Sequence, residues 1–163
     1  DGAPKPAGWG AGRWALWGVF AFLCIGVGGY ALFHAATGLA FVPKQVLANG
    51  FPSPLGLYVH IAASGVALVA GCFQFVPALR RIRSLHRWLG RVYVLACVIG
   101  GLAGGAIALF SDSGLIAGAG FFGLALLWLP FTLLAWRAAV RRDFAAHERW
   151  MVRSFALTFA AVT

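Results

Sequence analysis

Residues 80–110 read RRIRSLHRWLGRVYVLACVIGGLAGGAIALF, and the kind of protein follows from this stretch. It opens on Arg80, Arg81, Arg83, Arg87 and Arg91, then carries no charge from Val92 to Phe110. A helix of about 20 apolar residues crosses a hydrocarbon layer about 30 Å thick. Arginines massed at one end of it suit the headgroup layer. Inside the run, Gly100-Gly101-Leu102-Ala103-Gly104-Gly105 holds two overlapping G-x-x-x-G patterns. Such patterns let a neighbouring backbone come close where lipid removes the hydrophobic drive for helix association.

The same layout repeats along the chain. Apolar runs cover about 14–36, 57–79, 85–110, 115–136 and 144–163. Trp9, Trp14 and Trp17 crowd the start of the first run, as an interfacial aromatic belt does. Pro43, Asn49, Gly50, Pro52 and Pro54 mark a loop between the first two, with a short turn of helix expected near 44–48. Pro77 is expected to bend the end of the second run, and Ser84 to cap the third. A tight turn is expected over 111–114. Pro130 is expected to kink the fourth run and free the carbonyl of Leu126, and Asp143 to cap the fifth. The fold class is therefore all-α: a polytopic transmembrane helical bundle with at least five spans, one domain over 1–163, expected to continue beyond 163.

Of the 163 residues, 61% are hydrophobic and 10% charged. A soluble domain carries about 25% charged residues, so this chain cannot cover itself with a polar surface. All of its 13 lysines and arginines except Lys44 fall before the first run, between the second and third runs or in the first turns of the third, or between the fourth and fifth or in the first half of the fifth. That bias is the positive-inside pattern, with the amino terminus cytoplasmic and a bacterial inner membrane as the expected location. The net charge of +9 then reflects anchoring against anionic headgroups, and no nucleic-acid partner is expected. The three cysteines lie in separate runs, without C-x-x-C or C-x-x-C-H, so covalent c-type haem attachment is excluded and buried thiols are expected. The first run is too long for a cleavable signal peptide and lacks its small-residue cleavage pattern.

Orientation sorts the four histidines. His34 and His60 fall near the outer ends of the first two runs. His86 and His147 fall near the inner ends of the third and fifth, each followed by an arginine and a tryptophan. Two imidazoles from different helices at one depth are what six-coordinate b-type haem needs. Gly90 lies one turn beyond His86, leaving room for a flat macrocycle. Arg87 and Arg91, one turn apart, can meet an anionic group. Interfacial hydrogen bonding and helix packing explain single histidines equally well. Gln74 is a partner for a quinone or a haem propionate, or a hydrogen bond between helices. Glu148 adjoins His147, but neighbours on a helix face different ways and do not easily share one ion.

Three spaced motifs carry a resemblance. They are His60-Ile61 with Gly65, Ala67-Leu68, Gly71 and Gln74-Phe75; Leu85-His86-Arg87-Trp88-Leu89-Gly90-Arg91-Val92-Tyr93; and His147-Glu148-Arg149-Trp150-Met151-Val152-Arg153-Ser154 with Leu157 to Thr163. Together they resemble the predicted bacterial membrane proteins grouped as domain of unknown function 2306, over roughly Tyr58 to Thr163. That family has no settled activity to carry over. Ser84-Leu85-His86-Arg87-Trp88-Leu89-Gly90 is also similar to a Ser-Leu-His-x-Trp-Leu-Gly stretch in two-haem transmembrane b-type cytochromes that take electrons from ascorbate. That similarity implicates His86 as a haem ligand, although Arg87 departs from the cytochrome pattern.

Two functions fit the residues. One is a b-type haem electron-transfer protein, with His86 and His147 as the inner ligands of iron and His34 and His60 as an outer pair about 20 Å away. The other is a cofactor-free accessory subunit of a larger membrane complex. It would pack through the Gly100–Gly105 surface, with Phe121, Phe122, Trp128 and Trp136 as lipid or partner contacts. No catalytic residue stands out. The uncharged stretches of the runs hold no acidic residue, which argues against proton- or cation-coupled transport.

Overall fold

The computed structural model describes residues 10–38, 54–110 and 114–160, and among these every regular element is a helix. In chain order they are α1 (Ala11–Ala36), α2 (Pro54–Phe73), α3 (Pro77–Arg81), α4 (Arg83–Phe110), α5 (Leu115–Val140) and α6 (Phe144–Phe159). Four of them, α1, α2, α4 and α5, are long and apolar enough to cross a membrane. Their outer faces expose Leu16, Phe22, Leu102, Ile116 and Phe121, a surface suited to lipid and not to water. The fifth run becomes α6, 16 residues long and carrying Glu148, Arg149 and Arg153. At about 24 Å it falls short of the apolar layer.

Helix ends depart from expectation where proline or backbone geometry governs. The second run divides: α2 stops at Phe73, and Pro77 starts a separate short helix instead of bending a continuous one. Proline lacks an N–H that the first helical position does not need, so Pro54 and Pro77 both open helices. Ser84 is not a cap, because α4 begins at Arg83 and the His86 N–H already donates to the Ile82 carbonyl at 3.0 Å. Helix α5 runs on past Pro130 to Val140, beyond the expected end at 136. Asp143 does cap α6, accepting from the Ala146 N–H at 3.0 Å. The expected turn of helix at 44–48, Lys44, and 111–113 of the outer turn lie outside the described residues.

The connection from α5 to α6 is tight. Arg142 adopts φ 62°, the left-handed region, while its N–H reaches Ala139 and that of Asp143 reaches Ala138. Those two bonds close the end of α5 as a Schellman motif. A non-glycine residue there costs about 1 kcal/mol, which the bonds and the Asp143 cap offset.

Consecutive long helices run antiparallel. Gly28 of α1 faces Gly65 of α2 so closely that a Cβ on Gly65 would lie 3.0 Å from the Gly28 carbonyl. The two G-x-x-x-G patterns of α4 serve two neighbours. Gly100 and Gly104 face α2, where a Cβ on Gly104 would lie 2.7 Å from the His60 ring. Gly101 and Gly105 face α5, against Leu129 and Ala125. The four glycines of this stretch are thus taken up by contacts within the chain, while Leu102 between them stays exposed. Helix α6 lies against α5 and α2 and reaches α1 at Phe20, on which Phe159 stacks at 5.1 Å and Phe155 packs at a tilt at 5.5 Å. Cys24, Cys72 and Cys97 are buried and free, as expected.

Gly104→Ala should therefore push the His60 ring away and destabilise the protein by about 1–3 kcal/mol in detergent thermal unfolding. Gly105→Ala, whose new methyl group meets Ala125 at 3.4 Å, should change stability by much less. Equal losses in the two variants would contradict the division of labour between the paired patterns.

Candidate functional site

At the arginine-rich end of the bundle a cavity of about 330 Å³ opens between α4, α5 and α6, with Gln74 from the α2–α3 break at its back. It is at the lower end of the range for ligand pockets, about 300–1,000 Å³. Both His86 and His147 line it, as do Arg87, Gly90, Arg91 and Trp136. The remaining wall is apolar, with Val94, Val140 and Met151 among its members. Arg87, Arg91 and Val140 are exposed at the mouth, while Gln74 and Met151 are 6% and 8% exposed at the floor.

Each polar group in the cavity is held differently. The His147 Nδ1 donates to the Ala135 carbonyl of α5 at 2.9 Å. Because a carbonyl can only accept, that bond assigns the proton to Nδ1 and leaves the Nε2 lone pair of the neutral ring free. His86 Nδ1 is buried without a hydrogen-bond partner. Gln74 Nε2 donates to the His86 carbonyl at 3.4 Å, and its Oε1 lies nearest to Gly90, where a Cβ would still keep 3.9 Å. Gly90 therefore widens the cavity without any forced contact. Arg87 Nε donates back to the Arg83 carbonyl at 3.2 Å.

The outer histidines are not joined. His60 turns toward α4, its Nδ1 donating to the Gly100 carbonyl at 2.8 Å with its ring over Gly104. His34 of α1 is 4% exposed, packed edge-on against Tyr30 at 4.3 Å, and neither ring nitrogen has a hydrogen bond. No hydrogen bond or ring contact links His34 to His60 among the described residues. Glu148 points away from the cavity toward Arg80, 3.9 Å distant. No group of three or more histidine, cysteine or acidic side chains able to hold a metal ion is found among the described residues.

Just beyond the cavity floor lies a buried hydroxyl cluster that sequence reasoning missed. Tyr93 of α4 meets Ser154 at 2.8 Å and Thr158 at 2.9 Å, both on α6. Thr132 of α5 meets Ser154 at 2.7 Å and donates to the Trp128 carbonyl at 2.8 Å. The Trp128 indole N–H donates to Thr158 at 2.9 Å. Trp128 is thus buried between helices and is not the lipid or partner contact expected of it. The legible signal was Ser154 and Thr158, one helical turn apart on the face that also carries His147 and Met151.

The chain belongs to the DUF2306 family of predicted membrane proteins, whose sequence model matches residues 57–163. The match takes in Gln74, His86, His147 and the hydroxyl cluster, and leaves α1 outside it. No curated protein and no solved structure matches the chain.

Ser154→Ala removes one hydroxyl that serves both Tyr93 and Thr132. It should cost about 1–2 kcal/mol, at the upper end for hydrogen bonds between membrane helices. A double-mutant cycle with Thr132→Val, read by thermal unfolding, should show coupling between the two changes. Strict additivity would mean that the cluster contributes no shared stabilisation.

Proposed function

We propose that this is a membrane electron-transfer protein that holds haem b at the arginine-rich end of the bundle, with His86 and His147 as ligands of the iron. One observation carries the reading: both imidazoles line the same cavity from different helices. The bond from His147 Nδ1 to Ala135 leaves Nε2 as the nitrogen available to a metal. The buried, unpartnered Nδ1 of His86 is a polar group that the protein alone does not satisfy. Similarity of the Ser84–Gly90 stretch to haem-ligating cytochrome sequence supports the same position.

The lining suits a flat, amphipathic, acidic group, and at about 330 Å³ the cavity takes in part of a haem, the remainder of which would lie in its open mouth. Trp136, Val94, Val140 and Met151 offer apolar walls, and Gly90, with no side chain of its own, keeps the wall between them low. Arg87 and Arg91 at the mouth place positive charge where acidic substituents would meet the headgroup region. Haem bound there supplies one-electron chemistry, while the chain fixes orientation, excludes water and sets the surrounding charge. The arginine bias supports a cytoplasmic placement for this end and for the amino terminus, in a bacterial inner membrane. The four glycines of 100–105 pack against α2 and α5, so they support the fold of this chain and do not by themselves favour the accessory-subunit reading.

Purified protein should show a sharp reduced α-band and a pyridine haemochrome of the b type. His86→Ala and His147→Ala should each abolish the low-spin spectrum, while His34→Ala should keep it. A colourless protein from haem-replete cells, with no iron by elemental analysis, would sink the proposal.

A further inference from the structure

A second basic feature lies on the outside of α6, away from the cavity mouth. Arg149 and Arg153 are exposed and one turn apart. The Arg153 guanidinium sits 4.7 Å over the Trp150 ring, which in turn packs on Phe131 of α5 at 5.2 Å. Trp150 lies one turn toward the arginine-rich end, so the Arg153 side chain is drawn back in that direction.

The depth of Arg153 follows from its neighbours. Ser154, next in the chain, bonds to Thr132, which lies five residues, about 7 Å, past Arg137 into the uncharged stretch of α5. Ser154 also bonds to Tyr93, two residues beyond Arg91, where the uncharged stretch of α4 begins. Arg153 therefore leaves its helix just inside the apolar layer, on a lipid-facing side. A cation at that depth is costly without a counter-charge.

No acidic side chain among the described residues answers it. Asp143 caps α6, and Glu148 faces Arg80. Two guanidiniums one turn apart, beside an interfacial tryptophan with an apolar aromatic behind it, match a phosphate diester whose acyl chains continue along the bundle.

We propose that the α6 face formed by Arg149, Trp150 and Arg153 is a binding site for one acidic phospholipid. Its phosphate is held by the two arginines, and its glycerol and upper acyl chains lie along Trp150 and Phe131. The site is separate from the histidine cavity and does not depend on haem.

The test uses the full chain in detergent, with thermal unfolding followed as phosphatidylglycerol or phosphatidylcholine is added. Wild type should show a rise in Tm with phosphatidylglycerol that phosphatidylcholine does not reproduce. Native mass spectra should show one retained acidic lipid per chain. Arg149→Gln/Arg153→Gln should lose both effects, Arg149→Lys/Arg153→Lys should recover part of them, and Arg141→Gln/Arg142→Gln, an equal loss of charge in the connecting loop, should keep them. Equal loss in the two glutamine double variants, or in neither, would overturn the site in favour of diffuse attraction. An equal rise with glycerol 3-phosphate would identify a soluble phosphate as the occupant and overturn the lipid assignment. Retention of both effects in haem-free His86→Ala protein would show that the lipid site stands independently of the haem reading.

Discussion

The hydroxyl cluster of Tyr93, Thr132, Ser154 and Thr158, with the Trp128 indole, ties three helices together at one level of the bundle. Ser154 and Thr132 are fully buried, so their hydroxyls must find partners inside the protein. Apolar packing alone would let α6 slide or rotate with little penalty, because lipid receives an apolar side chain as readily as a neighbouring helix does. Hydrogen bonds have no such tolerance: a shift of one residue moves Ser154 off both of its partners. The cluster therefore sets the rotation and height of α6. His147, two turns back along the same helix, is carried to a fixed place beside Ala135 and opposite His86. The cavity is thus a consequence of polar bonds formed several ångströms away from it.

Small residues do the complementary work between the longer helices. The paired glycine patterns of α4 bring α2 in on one side and α5 on the other, and the single crossing of Gly28 with Gly65 seats α1. Glycine at Gly71 leaves space for the Phe155 and Tyr93 rings, so α6 and α4 can meet over α2. Close backbones gain dispersion contacts and fix distances, but they leave rotation loosely determined. Direction comes from the polar groups, among them the His60 ring bonded to Gly100 and the Gln74 amide bonded to the His86 carbonyl. Distance and direction are set by different residue types, and the fold needs both.

This division explains what the sequence discloses and what it conceals. Membrane-spanning helices are legible because about 20 uncharged residues with arginines at one end have few other physical solutions. The shared position of His86 and His147 at one cavity is legible for a related reason: both stand at the arginine-rich ends of their helices. Depth does not determine facing, however: His60 turns to Gly100 of α4, while His34 packs on Tyr30 of its own helix. Helix ends at Phe73 and Arg83 escaped because proline and a free backbone carbonyl outrank the average hydropathy of a run. The hydroxyl cluster escaped because isolated serines and threonines in a membrane helix satisfy themselves on their own backbone as easily as on a neighbour. Only the tertiary arrangement shows that Thr132 and Thr158 do both.

Helix α6 concentrates these constraints. Ser154, Phe155, Thr158 and Met151 on one side are buried, while Arg149, Val152 and Arg153 on another are exposed. A helix apolar all round could rest in the bilayer at many rotations. One with hydroxyls on the inner face and guanidiniums on the outer face has a single favourable rotation, since any turn would bury a charge or expose hydroxyls to lipid. The arginines of α6 therefore reinforce the same orientation that the hydroxyls select, from the opposite side of the helix. The depth of His147 is then determined twice over, by bonds in the core and by charge at the surface. That redundancy suits a side chain that shares its cavity with His86 of a different helix.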